Sequence, residues 1–143
     1  MSNSSHARVA REPHDYSRFA FLECNLRNLV LFTIFMWVAA AFGEEFFYRG
    51  YVMKQLAEIL GGGNRAWAAG VMLSSVVFGV VHWYQGASGI ITTGTMGLIL
   101  GTAFYLNRRN LALCMLVHGL YNMVNLTLIY LGDPDALQRI TGG

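Results

Sequence analysis

The sequence predicts an all-α fold, a polytopic membrane helix bundle with about four transmembrane helices. Hydrophobic residues make up 55% of the chain and charged residues 13%, whereas a soluble domain carries roughly 25% charged residues. No Lys, Arg, Asp or Glu lies between Arg65 and Arg108, and His118 is the only strongly titratable group near neutrality between Arg109 and Asp133. A bilayer is crossed by about 20 apolar residues. These stretches therefore have room for membrane-spanning helices.

Four hydrophobic segments are predicted to be helical, because a backbone in lipid must satisfy its own hydrogen bonds. Three glycines and an asparagine at 61–64 end the first segment, and the polar residues 84–89 are predicted as the turn between the second and the third. A short basic loop at 107–110 precedes the fourth. The predicted helices cover about 28–60, 66–83, 90–106 and 111–131.

The chain is predicted to form one domain, since no linker, repeat or low-complexity tract divides it. Its core is expected at 28–132, between a polar N-terminal segment, 1–27, suited to an interfacial position against anionic head groups, and a short polar tail, 133–143. A net charge of +2 gives no argument for a nucleic-acid partner. Two cysteines are too few for a disulfide framework. Lys and Arg divide almost evenly between the two ends, so the membrane orientation stays open.

A ridge of small residues, Thr93, Gly97 and Gly101, lies on the third segment and lets another helix approach closely. Such a ridge serves either dimerisation or packing within the bundle, and packing within the bundle is favoured. Tryptophans near segment ends are expected to be interfacial anchors: Trp37, Trp67 and Trp83.

Two adjacent acids and an arginine stand in the first apolar segment, at Glu44, Glu45 and Arg49. Ionisable groups inside membrane helices are costly and mark functional sites. Residues four apart share a helix face, so Glu45 is expected to pair with Arg49, while Glu44 points about 100° away. Glu45 is therefore predicted to be structural and Glu44 to act as a base in a polar cavity. The alternative is a surface patch at the membrane boundary, but the flanking aromatic residues argue for burial.

Two histidines lie in the later apolar segments. His118 forms a polar stripe with Asn122 and Asn125, and His82 follows Phe78 by one turn on the same face. A single buried histidine is usually a core residue satisfied by a backbone carbonyl, but a second intramembrane imidazole favours a shared site. Asn125 is expected to make an interhelical hydrogen bond.

No side chain stands out as a nucleophile. Cys114 in an apolar helix is expected to be an inert core thiol. Ser74 lies two turns from His82, roughly 12 Å along the helix, which is too far for a serine–histidine pair. Water is the better nucleophile, with Glu44 as its activator.

Three motifs occur in order on separate apolar segments: Glu-Glu-x-x-x-Arg, Phe-x-x-x-His and His-x-x-x-Asn. Over roughly 29–131 the chain thereby resembles the CAAX prenyl protease and bacteriocin-processing family of intramembrane proteases, also called CPBP or Abi, which includes CAAX endopeptidases of the Rce1 type. The resemblance implies that Glu44 activates a water that His82 helps to hold. It implies that His118 and Asn122 stabilise the oxyanion, with Glu45 and Arg49 in support. The catalytic residues are thus expected to be Glu44, Glu45, Arg49, His82, His118 and Asn122.

Metal dependence stays open at this stage. Glu44, His82 and His118 could ligate Zn²⁺ and leave a position for water, but the sequence has no His-Glu-x-x-His motif. A general base contributes about 10²–10⁴-fold without an ion. No cofactor is therefore favoured, and zinc is the alternative.

The resemblance predicts an intramembrane endopeptidase, integral to a bacterial-type inner membrane, that hydrolyses a peptide bond in a peptide or membrane-protein substrate. Family members usually carry further N-terminal membrane helices, so this chain is expected to be a minimal protease, a homo-oligomer or an inactive fragment. One alternative is a non-catalytic immunity or sequestering protein that retains the fold. Another is a proton-coupled carrier with the histidines as a relay, although no inverted repeat is evident.

Overall fold

The computed structural model describes residues 16–134 and 136. Its framework is four long helices, and the described residues contain no strand, which confirms the all-α prediction. All four are long and apolar enough to cross a membrane, so the protein is an integral membrane protein. The helices are α1 (Leu26–Ile59), α2 (Asn64–Val81), α3 (Gly86–Leu106) and α4 (Leu111–Tyr130).

Helix α1 changes its winding where the first motif lies. Asn25 caps its start, because the Asn25 side chain accepts a hydrogen bond from the Asn28 backbone N–H at 3.1 Å. The helix is α-helical from Leu26 to Met36. Two π-helical stretches follow, Trp37–Glu44 and Phe46–Val52, before α-helix resumes at Met53–Ile59. Such wide turns are rare and occur frequently at functional sites.

Helices α2 and α3 approach each other closely along their glycines. A Cβ on Gly79 would lie 2.7 Å from the Ile90 carbonyl oxygen and 3.0 Å from the Gly94 Cα, so a larger residue would separate the two helices. The ridge residue Gly97 faces Ser75 and Phe78 of α2. The predicted use of the ridge for packing within the bundle is therefore confirmed.

The turn predicted at 84–89 is shorter than expected. A single 3₁₀ turn, Trp83–Gln85, links α2 to α3, and α3 already includes 86–89. Gly86 has a φ of 79°, which a residue without a Cβ adopts at little cost. One left-handed glycine redirects the chain, so the glycine and serine that follow are free to join the helix.

The main apolar core lies between the second half of α1 and the other three helices, and its buried members are Met53, Ala57, Trp67, Val71, Leu100, Phe104 and Cys114. Trp67 is only 4% exposed and stacks on Tyr105 with ring centroids 5.6 Å apart. The prediction that Trp67 is an interfacial anchor is wrong, because the indole fills the core. Trp83, in contrast, is 71% exposed.

The described part of the N-terminal segment returns to the bundle. A 3₁₀ turn, Ser17–Leu22, places Leu22 against Leu126 and Ile129 of α4, where Leu22 is fully buried. The interfacial position predicted for 1–27 falls largely on residues outside the described ranges, as does most of the tail 133–143. These two segments stay predictions.

Candidate active site

The first motif places a buried ion pair in the middle of α1. The Arg49 guanidinium donates from Nη1 to Glu45 Oε1 at 2.9 Å, and the two side chains are 2% and 0% exposed. Nη2 of Arg49 also donates to the Gly97 backbone carbonyl at 3.2 Å. The predicted contact between Glu45 and Arg49 is present, and its depth excludes the surface-patch alternative for this pair.

Glu45 also holds His118 of α4. The His118 Nδ1 lies 2.8 Å from Glu45 Oε1, and since a carboxylate oxygen accepts, this nitrogen carries the proton. The same oxygen therefore accepts from both an arginine and a histidine. The contact joins the first and third motifs across two helices and fixes the orientation of the imidazole.

Glu44 points away from this ion pair toward His82. The two side chains are 31% and 12% exposed, and Glu44 Oε1 lies 4.0 Å from His82 Nε2. The His82 Nδ1 lies 2.7 Å from the Phe78 carbonyl oxygen, to which it must donate. In the neutral imidazole, Nε2 is then a free acceptor facing the carboxylate. A separation of 4.0 Å is too long for a direct hydrogen bond but suits a bridging water.

Phe78 is the aromatic centre of the site. Its ring is 4.8 Å from the His82 ring and 6.3 Å from the His118 ring, centroid to centroid. The Arg49 guanidinium carbon lies 4.7 Å from the Phe78 centroid, and the Tyr48 ring meets its edge at 4.8 Å. Sequence reasoning gave neither Phe78 nor Tyr48 a role. The sequence did contain a signal for both residues. Phe78 is four residues before His82 and Tyr48 is four residues after Glu44, so each shares a helix face with a motif residue.

Asn122 carries an unused donor. Its side-chain Nδ2 is buried and has no hydrogen-bond partner among the described residues. Asn125 behaves differently, since its amide donates to the Tyr121 carbonyl of its own helix at 2.8 Å. The interhelical bond predicted for Asn125 is wrong, because a backbone carbonyl one turn away is within easier reach than a neighbouring helix.

The other candidate nucleophiles are occupied by local contacts. Cys114 is fully buried in the apolar core, with its sulfur 3.5 Å from the Leu100 carbonyl oxygen. The Ser74 hydroxyl donates to the Val71 carbonyl at 3.2 Å. Both residues have the structural surroundings that the sequence predicts.

Zinc is the alternative to a metal-free site, with Glu44, His82 and His118 as its expected ligands. Among the described residues, no group of three or more His, Cys, Asp or Glu is arranged to hold a metal. Nδ1 of His118 is held by Glu45 and Nδ1 of His82 by a backbone carbonyl. This leaves Nε2 of each ring unused, an arrangement that metal-ligating histidines also show. The metal-free site and the zinc alternative both stay predictions.

Trp37 sets the spacing between α1 and α4 beside the site. A Cβ on Gly119 would lie 2.5 Å from the edge of the Trp37 indole. Only glycine fits at this position without displacing the ring. The contact lies next to His118 in sequence, so it fixes the helix separation that the bond from His118 to Glu45 needs.

Residues 26–124 match the family model described as Type II CAAX prenyl endopeptidase Rce1-like. The chain belongs to the Rce1-like family. This membership confirms the resemblance drawn from the motifs. At family level, the chain is a CAAX-protease-like intramembrane endopeptidase. The chain has no significant match among curated proteins or solved structures.

The match covers the whole candidate site of this Rce1-like chain. Glu44, at the middle of α1, and Asn122, near the end of the matched range, both lie within 26–124. The contacts of Glu45 with Arg49 and His118, the pair of Glu44 and His82, and the buried Asn122 amide thus all lie in the Rce1-like region.

Proposed function

We propose that this chain is an intramembrane endopeptidase that hydrolyses a peptide bond with a water molecule activated by Glu44. The observation that carries the proposal is the 4.0 Å gap between Glu44 Oε1 and His82 Nε2. Both atoms are acceptors when His82 is neutral, because its Nδ1 proton is directed at the Phe78 carbonyl. A water between them would donate one hydrogen to each.

Such a water is oriented for attack. With both hydrogens directed at acceptors, its lone pairs point away from them toward an incoming substrate carbonyl. Glu44 takes the proton as the oxygen attacks, and a general base of this kind contributes about 10²–10⁴-fold. Later return of this proton to the departing amine completes hydrolysis. Glu44 keeps 31% of its side chain exposed, which leaves access for the substrate.

Asn122 supports the second half of the reaction. Attack on the carbonyl produces an oxyanion that needs donors already in place. The buried Asn122 Nδ2 has no partner among the described residues, and we assign its hydrogens to that oxyanion. An unsatisfied buried donor is costly in a resting protein, and a catalytic use gives a reason for it.

We assign His118 as the second oxyanion donor, through its Nε2. Its Nδ1 contact with Glu45 orients the ring. Donation from Nε2 while Nδ1 is directed at Glu45 is the chemistry of an imidazole that carries both ring protons. Glu45 and Arg49 are then positioning residues that act through His118.

The test is cleavage by the whole chain reconstituted in nanodiscs. A library of quenched fluorogenic peptides, with and without an attached lipid, is offered to the wild type, to Glu44→Gln and to a surface control, Lys54→Gln. We expect cleavage by the wild type and the control, and a loss of about 10²–10⁴-fold in Glu44→Gln. Equal cleavage by Glu44→Gln contradicts the role of Glu44. Binding of peptides without cleavage by any of the three supports the sequestering alternative.

A further inference from the structure

The end of the bundle away from the N-terminus carries uncompensated positive charge. It contains the end of α1, the start of α2 and the connection from α3 to α4. Four basic residues lie there against a single acid, Glu58, which pairs with Lys54 at 3.8 Å. The remaining three, Arg65, Arg108 and Arg109, are exposed and make no ion pair with any residue that the structure describes. We call these three arginines the basic end.

Two side-chain contacts join the helix ends that carry the arginines of the basic end. The Tyr105 hydroxyl lies 2.9 Å from Asn64 Oδ1, which joins the last turn of α3 to the first turn of α2. The Arg109 guanidinium lies 4.1 Å from the centroid of the Trp67 ring. Trp67 is buried and stacked on Tyr105, so it is a fixed platform for the arginine. Stacking on one face of a guanidinium leaves its N–H edge free to bind an oxyanion.

At the basic end, two arginines occupy backbone positions that other residues adopt more easily. Arg108 and Arg109 are consecutive and have φ of 52° and 61°. The left-handed region is the usual place of Gly and Asn, and a larger residue there costs free energy. A helix connection that served only to reverse the chain would favour those residues. Two arginines in these positions indicate that their side chains have a use of their own.

Among the described residues, the opposite end of the bundle lacks this excess. Its described arginines, Arg18 and Arg27, are matched in number by two described acids, Glu23 and Asp133. Basic residues beside a membrane surface attract anionic lipids, and a guanidinium binds phosphate oxygens in a forked geometry. The chemistry therefore differs between the two ends of one membrane protein.

We propose that the basic end binds the phosphate head groups of anionic phospholipids in the leaflet it faces. Arg109, fixed on Trp67, supplies a preoriented donor edge, and Arg65 and Arg108 add mobile charge beside it. This lipid site lies apart from the candidate active site and does not depend on protease activity.

The test is lipid retention by the full chain. Wild-type protein is extracted from membranes of phosphatidylcholine with phosphatidylglycerol, and the lipids that copurify are counted by mass spectrometry. The variant Arg65→Gln/Arg108→Asn/Arg109→Asn is compared with the control Arg18→Gln/Arg27→Gln, which matches in number the double variant Arg65→Gln/Arg108→Asn. Asparagine tolerates the left-handed backbone, so the loop conformation is preserved.

We expect the triple variant to lose its preference for the anionic lipid by about 10²-fold, at roughly 1 kcal/mol per basic residue and 1.4 kcal/mol per tenfold. Arg18 and Arg27 belong to the segment predicted to lie against anionic head groups, but Glu23 and Asp133 match them in number. The control should therefore keep the preference within about twofold. If both variants lose it equally, general charge explains retention and the site is wrong. If neither loses it, the proposal also fails.

Two further measurements guard against misfolding of the triple variant and against binding of free ions. The double variant Arg65→Gln/Arg108→Asn keeps the Arg109 contact with Trp67. Its preference for the anionic lipid should still fall by at least about tenfold, even if the triple variant does not fold. Inorganic phosphate at millimolar concentration should leave the retained lipid in place. Displacement by phosphate alone would show a site for free ions and overturn the assignment to lipid.

Discussion

Replacing Arg49 with methionine removes a buried guanidinium from beside a buried carboxylate. Glu45 is fully buried, its Oε2 has no partner within the described chain, and Arg49 supplies the 2.9 Å contact to Oε1. Breaking one side of such a pair costs about 3–5 kcal/mol, because the buried carboxylate then keeps only its contact with His118 at 2.8 Å. The hydrogen bond to the Gly97 carbonyl is lost as well. We therefore expect the free energy of unfolding to fall by about 3–5 kcal/mol in Arg49→Met.

The chain contains a matched control for this measurement. Lys54 and Glu58 are also four apart on α1, but they are 54% and 55% exposed and 3.8 Å apart. Lys54→Met should change the free energy of unfolding by no more than about 0.5 kcal/mol. Steric trapping in bicelles measures both values.

The double variant Glu45→Gln/Arg49→Met separates charge from packing. It removes the stranded carboxylate, so it should recover at least about half of the loss caused by Arg49→Met alone. A fall of less than about 1 kcal/mol in Arg49→Met, or no recovery in the double variant, would refute the interpretation of this pair as a coupled buried charge.

Three further outcomes follow from the site. Asn122→Ala should lower the cleavage rate by about 10²–10³-fold with an unchanged fold, and near-wild-type turnover would remove Asn122 from the oxyanion site. Gly119→Ala should displace the Trp37 ring, destabilise the bundle by about 1–3 kcal/mol and slow cleavage. An unchanged thermal midpoint and cleavage rate would show that the Trp37 ring moves aside without cost. Cleavage should survive dialysis against o-phenanthroline, and loss of activity that zinc restores would make Glu44, His82 and His118 metal ligands.

The features that could be predicted from the sequence are those set by the spacing of residues along one helix. The long apolar stretches gave the four helices because a backbone in lipid has few alternatives to helix. The contact between Glu45 and Arg49 was predictable because residues four apart share a face. The closely approaching Gly97 was predictable for a similar reason, since small residues at helical spacing admit a second helix.

The contacts between helices could not be predicted in the same way. The bond from His118 to Glu45 joins residues 73 positions apart, and no local spacing encodes it. Phe78 was identified as the first residue of the Phe-x-x-x-His motif without a role of its own, yet the fold makes it the ring that both histidines approach. The burial of Trp67 depends likewise on the packing of α3 beside α2.

Helix type and side-chain hydrogen bonding account for the remaining differences. The π-helical turns of α1 have no recognisable residue signature, although they determine the direction in which Glu44 points. Asn125 had two possible partners, a neighbouring helix or its own backbone, and only the structure decides between them.

The most direct measurement of the central claim is a comparison of membranes that contain the wild-type chain with membranes that contain Glu44→Gln at equal abundance. Protein termini are quantified by mass spectrometry in both. The proposed mechanism predicts new peptide fragments from membrane-associated substrates in the wild type alone, because the variant keeps the shape of the site but lacks the carboxylate that takes the proton from water. The same fragments at the same levels in both membranes would contradict glutamate-activated hydrolysis.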